Sequence, residues 1–214
     1  MENLKVSRFS FSGCYRPVMA TVRGEYRKSA QRREEVLDAA FRVFSRVGFT
    51  KASVSEIARE VGMSQPGLLH HYDSKLAMLL AVFERRDQTA QDILGGRRDI
   101  EFLRGLVEIS RRNNEKRELI RFYTVIAGEA TSPDHPAHAR FKERFELIVR
   151  ETSQAFEDLR ELGMLNEGVD PRAAALSCVA MVEGLQLLWL NDLPGIDMAE
   201  DMRRHMQQFL AVEL

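Results

Sequence analysis

Polar residues that suit contact with DNA are concentrated in the stretch 53–75. Glutamine can pair bidentately with adenine in the major groove, and a lysine can contact phosphate as a point charge. The candidates for reading bases are Gln65, Gly67, His70 and His71, and the candidates for phosphate are Ser53 and Lys75. These residue types predict that the segment binds double-stranded DNA.

The spacing of apolar residues predicts that this segment is a helix-turn-helix. One short helix carries an apolar stripe at i, i+3, i+4 and i+7, formed by Val54, Ile57, Ala58 and Val61. Ser53 can cap its start and Gly62 can end it in the left-handed conformation. Ser64 can then cap a second helix, predicted over 65–72, whose first turn tolerates Pro66. The second helix would enter the major groove; the alternative is an ordinary helix hairpin.

The elements that position this motif are also predicted to be helical. A first helix over 30–47 ends at Gly48, and Ser74 caps a fourth helix that starts at Lys75 and runs toward Arg86. Gly95 and Gly96 then interrupt the chain. We predict a flexible basic tail at 1–27, a three-helix DNA-binding domain at 28–75, a connecting helix at 76–94, and a helical ligand-binding and dimerisation domain at 95–214.

The rest of the chain predicts an all-α fold. Apolar residues recur with helical spacing, and the chain shows no alternating strand pattern. Helices are predicted over 99–113, 116–130 and 137–162, followed by one that begins at Asp170-Pro171 and ends near 190, and a last one over 198–212.

The charge distribution is uneven along the chain. Residues 1–75 contain 13 Lys and Arg against 8 Asp and Glu, a net +5, whereas the remainder contains 18 against 24, a net −6. A basic N-terminal part suits phosphate contact, and an acidic remainder argues against nucleic acid along the whole molecule.

Residues 29–83 resemble the N-terminal DNA-binding domain of the TetR family of transcriptional regulators. The resemblance rests on AAFRVFSRVGFTKASV (39–54), SEIAREVGMS (55–64) and GLLHHYDSK (67–75). Leu69 departs from the pattern, because the family commonly has a tyrosine there that touches the DNA backbone. His70 and His71 occupy variable positions, so the resemblance does not indicate which bases are read. It implies a regulator that binds DNA as a dimer.

The last two helices are predicted to form a homodimer interface. The segment 173–190 is apolar on nearly every side, so it must be covered on every side, and it is too short and too polar at its centre to span a membrane. The helix over 198–212 carries a stripe of Met198, Met202, Met206, Phe209 and Leu210. In the family that it resembles, the last two long helices of each subunit form a four-helix bundle across a two-fold axis.

Aromatic and polar residues in the C-terminal part are candidates for binding a small-molecule effector. The predicted lining is Phe122, Tyr123, Ile126, Phe141, Phe145 and Trp189, with Glu183 or Gln186 as a polar anchor. Taken singly the aromatics are ordinary core, and the resemblance favours a pocket, since the family's regulatory domains commonly hold an apolar cavity. A carboxylate in an apolar helix needs a partner. Glu183 therefore either pairs with an arginine across the dimer interface or faces the ligand.

The sequence contains no signature of catalysis, a metal site or a cofactor. It has no nucleophile elbow, phosphate-binding glycine loop or zinc motif, and the spacing of His135 and His138 straddles Pro136. Cys14 and Cys178 have no neighbouring cysteine or histidine cluster. The N-terminus lacks the apolar core of a signal peptide, which predicts a cytoplasmic protein.

Together these features predict a dimeric repressor that binds a palindromic operator and is released by a small, largely apolar effector. The alternative is an α-helical ligand-binding protein or enzyme that retains the helix-turn-helix as scaffold.

Overall fold

A computed structural model of the chain describes residues 23–214, with side chains from Ser29 onward. Within that range the chain forms α1 (Arg23–Lys51), α2 (Val54–Val61), α3 (Gln65–His71), α4 (Lys75–Leu94), α5 (Asp99–Asn113), α6 (Arg117–Glu129), α7 (His138–Glu161), α8 (Pro171–Leu190) and α9 (Met198–Gln207). The described residues contain no strand, only an isolated bridge between Leu165 and Leu210. The all-α prediction is confirmed. The predicted tail lies outside the described residues, except for 23–27, which begin α1.

Local capping chemistry determines where α2, α3 and α4 begin. Ser53, Ser64 and Ser74 each accept a hydrogen bond from the backbone N–H three residues later, at 3.1, 3.2 and 3.0 Å. Gly62 ends α2 in the left-handed conformation, with φ of 70°. Gly48 interrupts α1 with φ of 77° and ψ of 177°, so the helix bends before α2.

The last helix is shorter than predicted because the chain after it folds back. Ala211 N donates to Met164 O, and Asn166 N donates to Phe209 O, each at 2.9 Å. The side chain of Gln207 bonds the backbone of both Val212 and Leu214. These contacts take the backbone groups that a continued helix would have used, so α9 ends at Gln207 and not at 212.

The hydrophobic core does not divide where the predicted domains do. One cluster contains residues of α1, α2, α3 and α4 together with residues of α6 and of the start of α7. Phe122, Tyr123 and Phe141 are among the latter. A second cluster joins α5, α7, α8 and α9 and contains Cys178, whose pKa burial raises to about 12. The helix-turn-helix and α6 therefore share one core, which ties the first part of the chain to the second.

In the described part of the chain, only α8 has the length and composition of a membrane span, with a mean hydropathy of 1.7, so the expectation that it is too short and too polar was wrong. Leu185 and Cys178 of α8 are nevertheless buried against other helices of the chain. The core helix of a globular protein meets the same criterion, so this feature is weak evidence of membrane insertion.

Candidate DNA-binding and effector-binding sites

The N-terminal end of α3 presents an exposed polar surface. Gln65 and Ser64 are exposed, and the Gln65 side chain accepts a hydrogen bond from Ser55 Oγ at 3.3 Å. A Cβ at Gly67 would lie 3.1 Å from Ser64 Oγ, so glycine leaves room for the cap. Of the residues predicted to bind DNA, Gln65 is thus oriented by α2, while Ser64 and Gly67 shape the helix start.

The two adjacent histidines differ in environment. His70 is exposed, while His71 is half-buried, and their rings lie 5.8 Å apart. Burial, followed by the positive charges of His70, Arg33 and Arg32, lowers the pKa of His71. His71 is therefore mainly neutral at pH 7 and can both donate and accept a hydrogen bond.

Lys75 has a structural role that the sequence did not predict. Its Nζ donates to Phe49 O at 2.7 Å and to Ala52 O at 2.8 Å, and it lies 4.3 Å above the centre of the Phe49 ring. Burial lowers its pKa, partly offset by Glu129. Two of the three ammonium donors therefore hold residues 49–52, the turn that ends α1 and precedes α2, which leaves one for the predicted phosphate contact.

Glu129, at the end of α6, holds the same turn from the other side. Its Oε2 accepts from Phe49 N at 2.8 Å and from Thr50 N at 3.3 Å. With φ of 77°, Gly48 has a conformation that favours glycine, and a Cβ there would lie 2.3 Å from Glu129 Oε1 and displace this carboxylate. No local pattern marks Glu129, because its partners lie about 80 residues earlier in the chain.

The residues predicted to bind an effector fall into two groups. Phe122, Tyr123, Ile126 and Phe141 are buried, and Phe145 packs on Phe141 with ring centres 6.1 Å apart. We call Phe83, Phe122, Tyr123, Phe141 and Phe145 the aromatic cluster, since neighbouring rings in it lie 5.0–6.1 Å apart. Trp189 packs instead near Ile120 and Leu185, under the guanidinium of Arg117.

Glu183 belongs to a buried charge cluster formed by residues of its own subunit. The cluster comprises Arg86, Asp87, Tyr123, Arg144 and Glu183. Arg144 donates to Tyr123 Oη at 3.1 Å and to Asp87 at 3.0 Å, and the Arg86 guanidinium lies 4.1 Å above the Tyr123 ring. Arg140 pairs with the same Asp87 carboxylate.

The charges in this cluster compensate one another. Burial raises the pKa of Glu183, while Arg144, Arg86 and a hydrogen bond from Tyr123 oppose the rise. Burial, followed by Arg144, lowers the pKa of Arg86 to about 10, which leaves it charged at pH 7. Within the described part of the chain, Arg144 and Arg86 thus favour the charged form of Glu183 electrostatically. Arg86 was missed, although it follows Leu79 and Phe83 at i+7 and i+3 on the buried face of α4.

Gln186 is a buried acceptor without a partner. Its side chain is 3% exposed, and its Oε1 makes no hydrogen bond within the described part of the protein. An unpaired buried carbonyl costs about 1–3 kcal/mol. A ligand donor at this position would recover that energy.

A groove of about 580 Å³ adjoins the aromatic cluster. It lies between α1, α4 and the start of α6, and its lining includes Phe41 and Arg86. Phe41 contacts Phe122 with ring centres 5.5 Å apart, and Arg86 covers Tyr123. None of the eight predicted effector-binding residues lines the groove itself, because the aromatic cluster is closely packed behind it.

The outer face of α8 is apolar and narrow. The exposed residues on this face are Leu176, Ala180, Gly184, Leu187 and Leu188. By contrast, Met198, Met202, Met206 and Leu210 of the last segment are buried inside the subunit. The apolar stripe of α9 is therefore already covered, and the apolar surface available to a partner belongs mainly to α8.

Comparison with protein families matches both halves of the chain. Residues 36–82 match the model of bacterial regulatory proteins of the TetR family, and residues 103–214 match the C-terminal domain of BetI-type transcriptional repressors. This chain belongs to the TetR family. The family consists of DNA-binding regulators and not of enzymes, and the predicted helix-turn-helix is confirmed.

Individual relatives agree with this assignment. The chain is similar to the transcriptional activator FasR of Mycolicibacterium smegmatis, with 40% identity over 70 residues, covering 33% of this chain and 32% of FasR. It is also similar to the transcriptional repressor Rv1474c of Mycobacterium tuberculosis, with 38% identity over 53 residues, covering 25% and 28% of the two chains. The matches thus span about a third of these relatives.

The fold is shared with solved regulators. The complex of SmeT with triclosan has a TM-score of 0.69 and 20% identity, covering 83% of this chain and 89% of that one. SmeT is the repressor of the multidrug efflux pump SmeDEF of Stenotrophomonas maltophilia. At this identity the likeness concerns the fold alone.

Proposed function

We propose that this TetR-family protein is a cytoplasmic repressor that binds a palindromic operator as a homodimer and is released by a small, largely apolar effector. The observation that carries the proposal is the match of the whole C-terminal half to a repressor domain behind a capped helix-turn-helix.

Contacts with DNA divide by type. Gln65, His70 and His71 are the side chains that read bases, with the Gly67 backbone close to the groove. Ser53 and Ser64, at helix N-termini, and the remaining donor of Lys75 contact phosphate.

The partner for dimerisation is a second copy of the chain, paired through α8. Leu187 is 53% exposed and Leu176 44% exposed, and such residues in a row are unfavourable in water. Ala180 and Gly184 lie between them, and a Cβ at Gly184 would meet nothing within 4 Å, so a facing helix can approach closely. A two-fold axis pairs the face with itself and closes the assembly.

The effector binds where the aromatic cluster meets α8. Its apolar body displaces or parts the rings of Phe122, Phe141 and Phe145, with Ile126 and Trp189 on the flanks. A donor group on the effector pairs with the unsatisfied Gln186 Oε1 or with Glu183. The groove beside Phe41 and Arg86 is the route of entry.

Two contacts connect the proposed effector site to α3, the helix of each subunit that enters the major groove, which we call the reading helix. The first is α4, because Arg86 on that helix stacks on Tyr123 of the aromatic cluster. The second is α6, because Phe122 and Tyr123 share that helix with Glu129, which holds the turn before α2. In a bound dimer the reading helices must lie about 34–36 Å apart, and a shift of α4 or α6 changes that separation.

A gel-shift titration with the DNA flanking the protein's own gene tests the proposal. Binding at about 0.15 M salt that exceeds binding to random DNA by about 10³ or more is expected. Weak, salt-sensitive binding that is indifferent to sequence would favour the alternative, in which the helix-turn-helix is only scaffold for a ligand-binding protein.

A further inference from the structure

A cavity of about 590 Å³ lies between the C-terminal end of α4, α5 and α9, further along α4 than the groove that Phe41 lines. Five arginines line it, namely Arg97, Arg104, Arg111, Arg112 and Arg203. The volume is that of an ordinary ligand site. It shares no lining residue with the aromatic cluster or the buried charge cluster, so the proposed effector site does not account for it.

The helical register explains why α5 directs several charges into this cavity. Arg104, Glu108 and Arg111 recur at i, i+4 and i+7, on one face of the helix. Val107 and Ile93 supply an apolar floor beneath them. The cavity is thus polar at its rim and apolar at its base.

The positive charge of the cavity is only partly neutralised. Asp92 and Glu108 are the two lining carboxylates, and two carboxylates outside the lining pair with Arg104 (Glu101, 2.7 Å) and Arg203 (Glu200, 2.8 Å). Glu108 already serves both Arg111 at 2.6 Å and Arg112 at 2.9 Å, and these hydrogen bonds lower its pKa. Because Glu108 is shared by two guanidiniums and Arg97 has no carboxylate partner among the described residues, some guanidinium donors remain available to an anion.

Arg97 lies against α5 at Gly105, which has no side chain. A Cβ at Gly105 would lie 3.4 Å from both Cδ and Nη1 of Arg97 and 2.8 Å from Leu94 Cδ2. Glycine therefore lets the Arg97 side chain lie flat against α5. Among residues 29–214, no carboxylate lies within ion-pair distance of its guanidinium.

We propose that this cavity binds a small molecule carrying phosphate groups. Planar guanidiniums match phosphate oxygens in pairs, and several of them around one concave site suit a ligand with more than one negative charge. The apolar floor accommodates the uncharged part of the molecule. Asp92 and Ile93 belong to the last turn of α4, and Lys75, the first residue of α4, holds the turn before α2. A ligand in the cavity therefore contacts the helix that directly follows α3, the reading helix.

Isothermal titration calorimetry on the full chain tests the proposal, with ATP and inorganic pyrophosphate as probes and adenosine as the uncharged control. At about 0.15 M salt we expect saturable binding of at least one phosphate probe, with one site per chain, and none of adenosine. Arg97→Gln should weaken that binding at least about tenfold, because it removes a charged donor. Arg150→Gln, an exposed arginine on α7 outside the cavity, is the matched control and should leave it unchanged.

Any one of the following results would overturn the proposal. They are the absence of saturable binding by both phosphate probes, equal weakening by Arg97→Gln and Arg150→Gln, and adenosine binding as tightly as ATP. Competition of a short random DNA duplex for the pyrophosphate site would also overturn it, because the surface would then bind nucleic acid. Operator binding is measured separately, so loss of this site leaves the proposed repressor function untouched.

Discussion

The carboxylate of Glu129 accepts the backbone N–H of Phe49 at 2.8 Å. Glu129 is the last residue of α6, and Phe49 lies in the turn that ends α1 and precedes α2, just after the bend at Gly48. Lys75 bonds the carbonyl of the same Phe49 at 2.7 Å. Phe49 is therefore held by α6 through its donor and by α4 through its acceptor.

Replacing Glu129 should loosen this turn. Glu129→Ala leaves the N–H groups of Phe49 and Thr50 without their acceptor, which should cost about 1–3 kcal/mol of unfolding free energy, measured by urea denaturation. Effector-induced release should also weaken, because one of the two proposed connections is lost. Glu146→Ala, an exposed carboxylate on α7, is the control. An unchanged denaturation midpoint for Glu129→Ala would exclude a structural role for this contact.

Substitutions in the reading segment should separate base contact from phosphate contact. Gln65→Ala should cost about 1–3 kcal/mol at the operator and little on random DNA, since it removes a contact to a base edge. Equal losses on both DNAs would remove Gln65 from the base readers. Fluorescence anisotropy with both duplexes gives the comparison.

Lys75→Ala should act differently from Gln65→Ala. It should weaken all sequences about equally and reduce the salt slope by about one, because one phosphate contact is lost. It should also lower the melting temperature, because the carbonyls of Phe49 and Ala52 lose their donor. A lower melting temperature with an unchanged salt slope would assign Lys75 a structural role alone.

An aspartate on the outer face of α8 should disrupt the dimer. Leu187→Asp places a charge in the proposed interface and should yield monomer or aggregate without specific DNA binding, as seen by analytical ultracentrifugation and gel shift. Leu162→Asp, at an exposed leucine after α7, should remain dimeric. A stable monomer of the unmodified protein at micromolar concentration would contradict the dimer proposal.

The aromatic cluster should determine effector sensitivity. Phe145→Ala and Tyr123→Ala should both reduce the response to whatever molecule lifts repression, while ligand-free operator affinity stays nearly intact. Tyr123→Phe keeps the ring beneath Arg86 but removes the acceptor of Arg144, so it separates packing from the charge cluster. Full sensitivity in both alanine variants would place the effector elsewhere.

Cys178 should report global unfolding. Burial raises its pKa from 9.0 to about 12, so the native thiol stays protonated where an unfolded one ionises. The native state then binds more protons than the unfolded state, and stability should fall as the pH rises above about 9. In a Cys14→Ser background at pH 8, iodoacetamide should label Cys178 only on unfolding. Rapid labelling of native protein would contradict its burial.

Local interactions explain how much of this fold the sequence determined. Serine caps at Ser53, Ser64 and Ser74, and the turn at Gly62, depend on residues within a few positions of each other, so pattern and spacing suffice to locate α2, α3 and α4. The bounds of α5 agree with its apolar periodicity for the same reason. The family resemblance rests on that same local segment.

Tertiary structure alone decided which distant groups meet. Periodicity places Tyr123 on an inward face of α6, but it does not indicate that Arg86 will stack on it from α4. It assigns Glu183 a buried position without indicating that Arg144 and Arg86 act on its carboxyl, and it leaves Lys75 available for DNA, whereas the fold binds Lys75 to Phe49. These partners are separated by 26 residues or more, and their contact depends on how whole helices pack, which no short-range pattern encodes.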